Sequence, residues 1–273
     1  MDLIRRGEKE FAFGYTPISE LNGAHSDMLM DFGVLRLQAG NVYRDEREDL
    51  ERAFLLVYGE VTFAWNDCRE TVSRKNCFDV SPWTLHVPKG VSVKITGISA
   101  DTEITVHRTE NETVFDPKLY RPEECEDEFR GAGLMRETST RIVRTIFDKS
   151  NAPWSNMVLG EVIGFPGKWS SYPPHHHPQP EIYYYKTNPE NGFAYAELGE
   201  DVLKIHQNDT TFISEGLTHP HVTPPGYALW YMWVIRHLDG NPYITPTFVP
   251  EHLWVQKADA VYWGDDKQAK GAK

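Results

Sequence analysis

The chemistry most densely written into this chain lies in PPHHHPQPEIYYYK, residues 173–186. On an extended strand alternate side chains share a face, so His175 and His177 project together while His176 points away into a structural role. Pro178 and Pro180 then bend the chain, and Glu181 opens the next strand. His219, three residues after Gly216 and near the start of another strand, is the natural fourth ligand. Three imidazoles and one carboxylate form a borderline-hard donor set suited to one divalent transition ion, whether Zn, Mn, Fe, Ni or Co. His-x-His alone marks an accidental surface cluster as readily as a metal site. What gives it weight is Glu181 four residues on and the Gly-x-x-His downstream. His221 shares parity with His219 and is a further candidate to line the pocket, as are Tyr183 and Tyr185 on the face of Glu181. Such a tyrosine run also packs barrel interiors, so one of the two is expected to touch substrate.

These residues need a scaffold of strands. Runs rich in Val, Ile, Phe, Tyr and Trp recur between Gly, Pro and Asn/Asp turn signals: Ala53–Tyr58, Val61–Trp65, Val91–Ile98, Glu103–His107, Met157–Ile163, Glu181–Tyr185, Phe193–Glu197, Thr210–Ile213 and Ala228–Ile235. Helical periodicity is absent and the 18 prolines oppose it, so the fold class is all-β, a barrel or sandwich. The acidic stretch Tyr120–Gly133, YRPEECEDEFRGAG, has no strand pattern and divides the chain into residues 1–130 and 131–273. The halves form a weak repeat. Glu51 leads a strand as Glu181 does, with Gly59 as the turn to a return strand, and Val87-Pro88-Lys89-Gly90 parallels Ile213-Ser214-Glu215-Gly216. The first half lacks the ligands: Tyr43-Arg44-Asp45 stands where the second has its three histidines, and Val93 where it has His219.

Bulk properties narrow the function classes. Lys and Arg number 28 against 40 Asp and Glu, a net charge of −12 without a basic cluster, which argues against nucleic acid and anionic membrane as partners. No signal-peptide core and no long apolar run occur. Cys68, Cys77 and Cys125 sit at no metal-ligand spacing and are read as reduced thiols, which favours the cytoplasm. A homodimer or larger homo-oligomer is expected, through exposed strand edges.

His175-x-His177-x-x-x-Glu181 with Gly216-x-x-His219 resembles the two-part cupin motif, and SSYPPHHH (170–177), EIYYYK (181–186), HPHVTPPGY (219–227) and LWYMWV (229–234) resemble the 5-deoxy-glucuronate isomerases of the bicupin isomerase family. The chain departs from that family at His176, where relatives carry Lys, and at Leu217-Thr218, where a Tyr precedes the downstream His. The resemblance implies two tandem cupin (jelly-roll) barrels and an aldose–ketose isomerase of myo-inositol catabolism, converting 5-deoxy-D-glucuronate to 5-dehydro-2-deoxy-D-gluconate. A 5-keto-4-deoxyuronate isomerase, a cupin dioxygenase and a non-catalytic sugar-binding cupin are the alternatives. Isomerisation needs a Lewis acid on vicinal oxygens and a base to carry a proton. Glu181, His221, Glu215 and a tyrosine such as Tyr183 are the candidates for that base. The substrate carboxylate needs a cation. Arg141 and Arg144, in TRIVRTIF, face opposite sides of a strand, so at most one points inward, and Lys168 is the alternative. Each is more often a solvated surface charge.

Overall fold

A computed structural model describes residues 3–214 and 216–264. Among these the chain is built from strands and short 3-10 turns, without an α-helix. Two large antiparallel sheets carry the fold. In the first half, the order is Lys118–Tyr120, Thr84–Val87, Glu51–Trp65, Thr102–Thr109, Asp31–Leu37 and Gly14–Ser19, with Cys68–Arg74 and Val93–Gly97 branching from the far end of Glu51–Trp65. In the second, a seven-stranded sheet runs Ile4–Arg5, Thr210–Ile213, Glu181–Asn188, Ala228–Arg236, Met157–Gly164, Arg141–Phe147 and Glu128–Arg130. A four-stranded sheet faces it, containing Trp169–Ser170, His221–Val222, Phe193–Leu198 and Asp201–His206. The first strand, Ile4–Arg5, thus belongs to the sheet of the second half, where it pairs with Thr210–Thr211.

Continuous apolar runs are explained by burial on both faces of these sheets. In Glu51–Trp65, Phe54 and Leu56 point into the first barrel while Ala53, Leu55 and Val57 point to the seam between the barrels. In Glu181–Asn188, Tyr183 and Tyr185 point into the second barrel while Ile182 and Tyr184 point to the seam. The largest apolar cluster is therefore this seam, where Phe32 and Leu55 of one half share a core with Phe147, Trp230 and Met232 of the other. Buried ion pairs cross it. Glu161 Oε1 accepts from Arg74 Nη2 at 2.6 Å and from Arg144 Nη1 at 2.8 Å, and Lys186 Nζ reaches Glu103 Oε1 at 2.6 Å.

Three sequence expectations are revised. Ala53–Tyr58 and Val61–Trp65 are one 15-residue strand, not two. It bends at Gly59 (φ 102°), after a register shift between Leu56 and Tyr58, and so passes from the seam sheet to the barrel's other wall. A Cβ at Gly59 would lie 2.4 Å from Thr102 Oγ1, so glycine is required there. The acidic stretch does contain a short strand, Glu128–Arg130, whose residues are all exposed and so leave no apolar alternation to read.

The repeat register is also off by one. Glu51 faces the seam, where its carboxylate accepts from Ser155 Oγ, Asn111 Nδ2 and the Asn156 amide. The inward position two residues before Phe54 belongs to Arg52, as Glu181 precedes Tyr183. Arg52 Nη1 meets Asp45 Oδ2 at 3.3 Å, and Arg108 Nη2 meets Asp45 Oδ1 at 2.6 Å and the Tyr43 hydroxyl at 2.6 Å. The rest of that interior, Val93 included, is hydrocarbon. A fixed guanidinium therefore occupies the end of the first barrel where the second gathers histidines.

Candidate metal centre

His177, Glu181 and His219 converge inside the second barrel. Glu181 Oε2 lies 3.1 Å from His177 Nε2 and 3.5 Å from His219 Nε2, and one ligand atom from each of the three lies within 4.8 Å of the others. His175 joins them at the side, its ring edge-on to His219 with centroids 4.8 Å apart. The tight cluster is thus three residues, with the fourth expected ligand adjacent. Short pairings hold these groups: His175–His176 pairs with Thr247–Phe248, the Gly216 amide donates to His177 O, and Glu181 lies across from Ile213 and Ile235. His176 takes the outer side of its two-residue strand, opposite Thr247.

The imidazoles share one orientation. Nδ1 of His175, His177 and His219 faces the carbonyl oxygens of Pro173 (3.1 Å), Gln179 (2.9 Å) and Leu217 (2.9 Å). A carbonyl only accepts, so the proton sits on Nδ1 and the Nε2 lone pair is free for an electrophile. Burial pushes the His175 pKa down to about 4 and that of His219 to about 3, keeping both rings neutral. Neutral imidazoles with aligned Nε2 atoms beside a buried carboxylate fit a divalent transition ion.

The cluster opens on a cavity of about 550 Å³, within the size range of small-molecule sites. Arg141 and Tyr183 line it, while Arg144, Lys168, Tyr185 and His221 do not. Strand parity separates the two arginines: Arg144 turns to the seam and pairs with Glu161 and Asp127. Arg141 is 7% exposed, its Nη1 donates to Ser139 O at 2.9 Å, and no carboxylate among the described residues bonds it. Desolvation pulls its pKa below the ordinary arginine value, and the charge of Arg130 adds to the effect. Lys168 stands on the turn before Trp169–Ser170, its ammonium over the Phe165 ring.

His221 lies behind the cavity wall. Its Nδ1 donates to His219 O at 2.9 Å and its Nε2 accepts from the Tyr185 hydroxyl at 2.8 Å, so neither nitrogen is free to take a substrate proton. Tyr185 is likewise occupied, with Thr211 Oγ1 at 2.7 Å. Tyr183 reaches the cavity, its ring edge-on to His219 with centroids 5.9 Å apart. Glu215 lies outside the described residues. Arg130 and Tyr243 are among the wall residues that sequence reasoning did not name. Arg130 sits in the acidic stretch read as the boundary between the halves. Tyr243 sits in LDGNPYITPTF, whose turn residues hide any strand pattern.

Comparison with known proteins agrees with this architecture. A structure of an IolB-like protein from Salmonella typhimurium LT2 superposes with a TM-score of 0.84 at 23% identity, covering 93% of this chain and 99% of that one. The oxalate decarboxylase of Bacillus subtilis, a protein with Mn(II) centres, superposes at 0.64 with 12% identity, covering 94% of this chain and 81% of that one. The fold is accordingly two tandem cupin barrels. Among sequences, the 5-deoxy-glucuronate isomerase of Geobacillus kaustophilus is 29% identical over 83% of this chain and 86% of its own length. That of Lacticaseibacillus casei is 26% identical over 93% and 97%. The sequence model of the KduI/IolB family matches residues 3–255, nearly the whole described chain, and the protein belongs to that family.

Proposed function

We propose that the protein is a metal-dependent aldose–ketose isomerase that converts 5-deoxy-D-glucuronate to 5-dehydro-2-deoxy-D-gluconate in inositol catabolism. One observation carries this reading: a buried imidazole–carboxylate cluster and a buried guanidinium without a carboxylate partner among the described residues line the same cavity. A sugar acid has a matching pair of ends, vicinal oxygens at one and a carboxylate at the other. The names of the isomerase relatives support the same substrate.

His177, Glu181, His219 and His175 would hold the ion, which when bound supplies Lewis acidity to the carbonyl and neighbouring hydroxyl oxygens. Arg141 binds the substrate carboxylate through its planar fork and fixes which carbons meet the cluster. Glu181 Oε2 lies against the two imidazoles, while Oε1 is bonded to nothing among the described residues. We assign Oε1 as the base that takes the proton from C2 and returns it to C1, with the hydroxyl proton passing from O2 to O1. Tyr183 closes the wall beside this position. Residues 1–130 and 131–273 are taken as two halves, of which the second holds one ion. We place the protein in the cytoplasm, on its three unpaired cysteines, and as a homo-oligomer. No helix among the described residues is long and apolar enough to cross a membrane.

NMR of the reaction in D₂O tests the proposal. Ketose should form with deuterium at the former aldehyde carbon, a chelator should abolish turnover, and a divalent ion should restore it. No ketose with any of Zn, Mn, Fe, Co or Ni would refute it.

A further inference from the structure

The segment after the Ala228–Arg236 strand returns across the mouth of the second barrel and is stitched to the stretch that carries the histidines. Phe248 and Thr247 pair with His175 and His176, the Val249 amide donates to Pro174 O at 3.0 Å, and Gln179 Nε2 donates to Asn241 O at 2.8 Å. Between these stitches the Tyr243 amide donates to His237 Nδ1 at 2.9 Å. The Tyr243 ring is thereby fixed edge-on to His177, with centroids 4.9 Å apart, on the same cavity wall as Glu181 and Arg141.

Two neighbouring tyrosines have committed hydroxyls: Tyr231 is bonded to Ser170 at 3.0 Å, and Tyr185 to Thr211 and His221. Tyr183 stands farther from the ligand rings, its centroid 5.9 Å from that of His219. Tyr172 packs on Trp169 and makes no ring contact with the histidines. The Tyr243 hydroxyl has no hydrogen-bond partner among the described residues, and it is not among the sealed polar atoms of the interior. It is a donor held beside the ligand cluster and facing the cavity.

We infer that the Tyr243 hydroxyl donates a hydrogen bond to the substrate oxygen that gains negative charge as the enediolate forms. The inference rests on the isomerase reading above. The phenol keeps its proton throughout, and Glu181 carries the proton exchanged between carbons. A donor fixed before the reaction needs no reorganisation when charge develops, which is why such groups act on kcat.

Tyr243→Phe keeps the ring against His177 and removes the hydroxyl alone. Kinetics should show kcat reduced about 10²- to 10³-fold with KM little changed, and bound metal should equal that of the wild type. Affinity of the metal-loaded protein for D-erythronohydroxamate, which presents two vicinal oxygens in the planar enediolate arrangement, should fall at least about tenfold. An unchanged kcat, a rise confined to KM, or lost metal would overturn the inference, the last because it would make Tyr243 a packing residue. If the wild type fails to isomerise 5-deoxy-glucuronate while the variant still binds the hydroxamate more weakly, the isomerase reading falls and the donor role stands. Equal hydroxamate affinities would overturn the donor role whichever reaction the protein catalyses.

Discussion

Arg141→Met should cost function and add stability at once. The guanidinium is buried with one carbonyl hydrogen bond and no carboxylate partner among the described residues, so it bears a desolvation cost that the substrate carboxylate would offset. Removing one partner of a buried charge pair costs about 2–5 kcal/mol. Taking about 3 kcal/mol, at about 1.36 kcal/mol per decade, kcat/KM for 5-deoxy-glucuronate should fall about 160-fold. The neutral analogue 5-deoxy-glucose has no carboxylate to lose, so the acid-to-neutral preference should collapse by the same factor. In the free protein, methionine fills similar volume without charge. Relief of burying a lone ion, several kcal/mol, exceeds the roughly 1.5–3 kcal/mol lost with the bond to Ser139 O. A net gain of about 1 kcal/mol would raise Tm by about 2 °C. Parallel kinetics on the two sugars and a melting curve of the free variant measure both arms. A lower Tm with an unaltered acid-to-neutral ratio would show that Arg141 is a structural cation and that the carboxylate binds elsewhere.

Three further outcomes are expected. His177→Ala should lose metal and activity yet keep the far-UV circular dichroism of the wild type, because apolar strands and not the ion hold the barrel; metal analysis and spectra decide this. Glu161→Gln should destabilise the protein by about 3–5 kcal/mol and lower Tm by about 6–10 °C, since it leaves the buried Arg74 and Arg144 guanidiniums without their shared carboxylate. Metal-free protein should lose stability as pH falls from 6.5 toward 4. Burial lowers His107, His219 and His221 to about 3, and His175 and His237 to about 4, from an ordinary 6.5. The unfolded chain then binds protons that the folded one refuses, and equal urea midpoints at pH 7.5 and 5 would contradict this.

Local patterns carried most of what was legible in the sequence. The strand Glu181–Asn188 announces itself through EIYYYK, and period-two parity correctly separates Arg141 from Arg144 and His176 from His175. The same parity misleads for His221, because the chain between it and His219 is loop and not strand until His221 itself. Parity also does not tell which face of a doubly buried strand meets the barrel. That is why Glu51 looked like the counterpart of Glu181 when Arg52 holds that position. Arg130 reaches the cavity by pairing with Arg141 on the next strand, and Tyr243 through a loop tied to His237 and Gln179, and nothing within a few residues of either marks that contact.

The Arg52 guanidinium in the first barrel has a consequence for how the two halves answer to their surroundings. Its positive charge is covalently tethered, arrives with translation and leaves under no chelator, so the electrostatics of that barrel are complete without any ion from solution. In the second barrel the corresponding charge would come from an ion held by His177, Glu181 and His219. Starvation or exchange of such an ion would touch one barrel only, while the other continues to present the shared seam as a finished surface. The half with Arg52 at the position of Glu181 thus serves as a permanent buttress for the half that gathers the histidines.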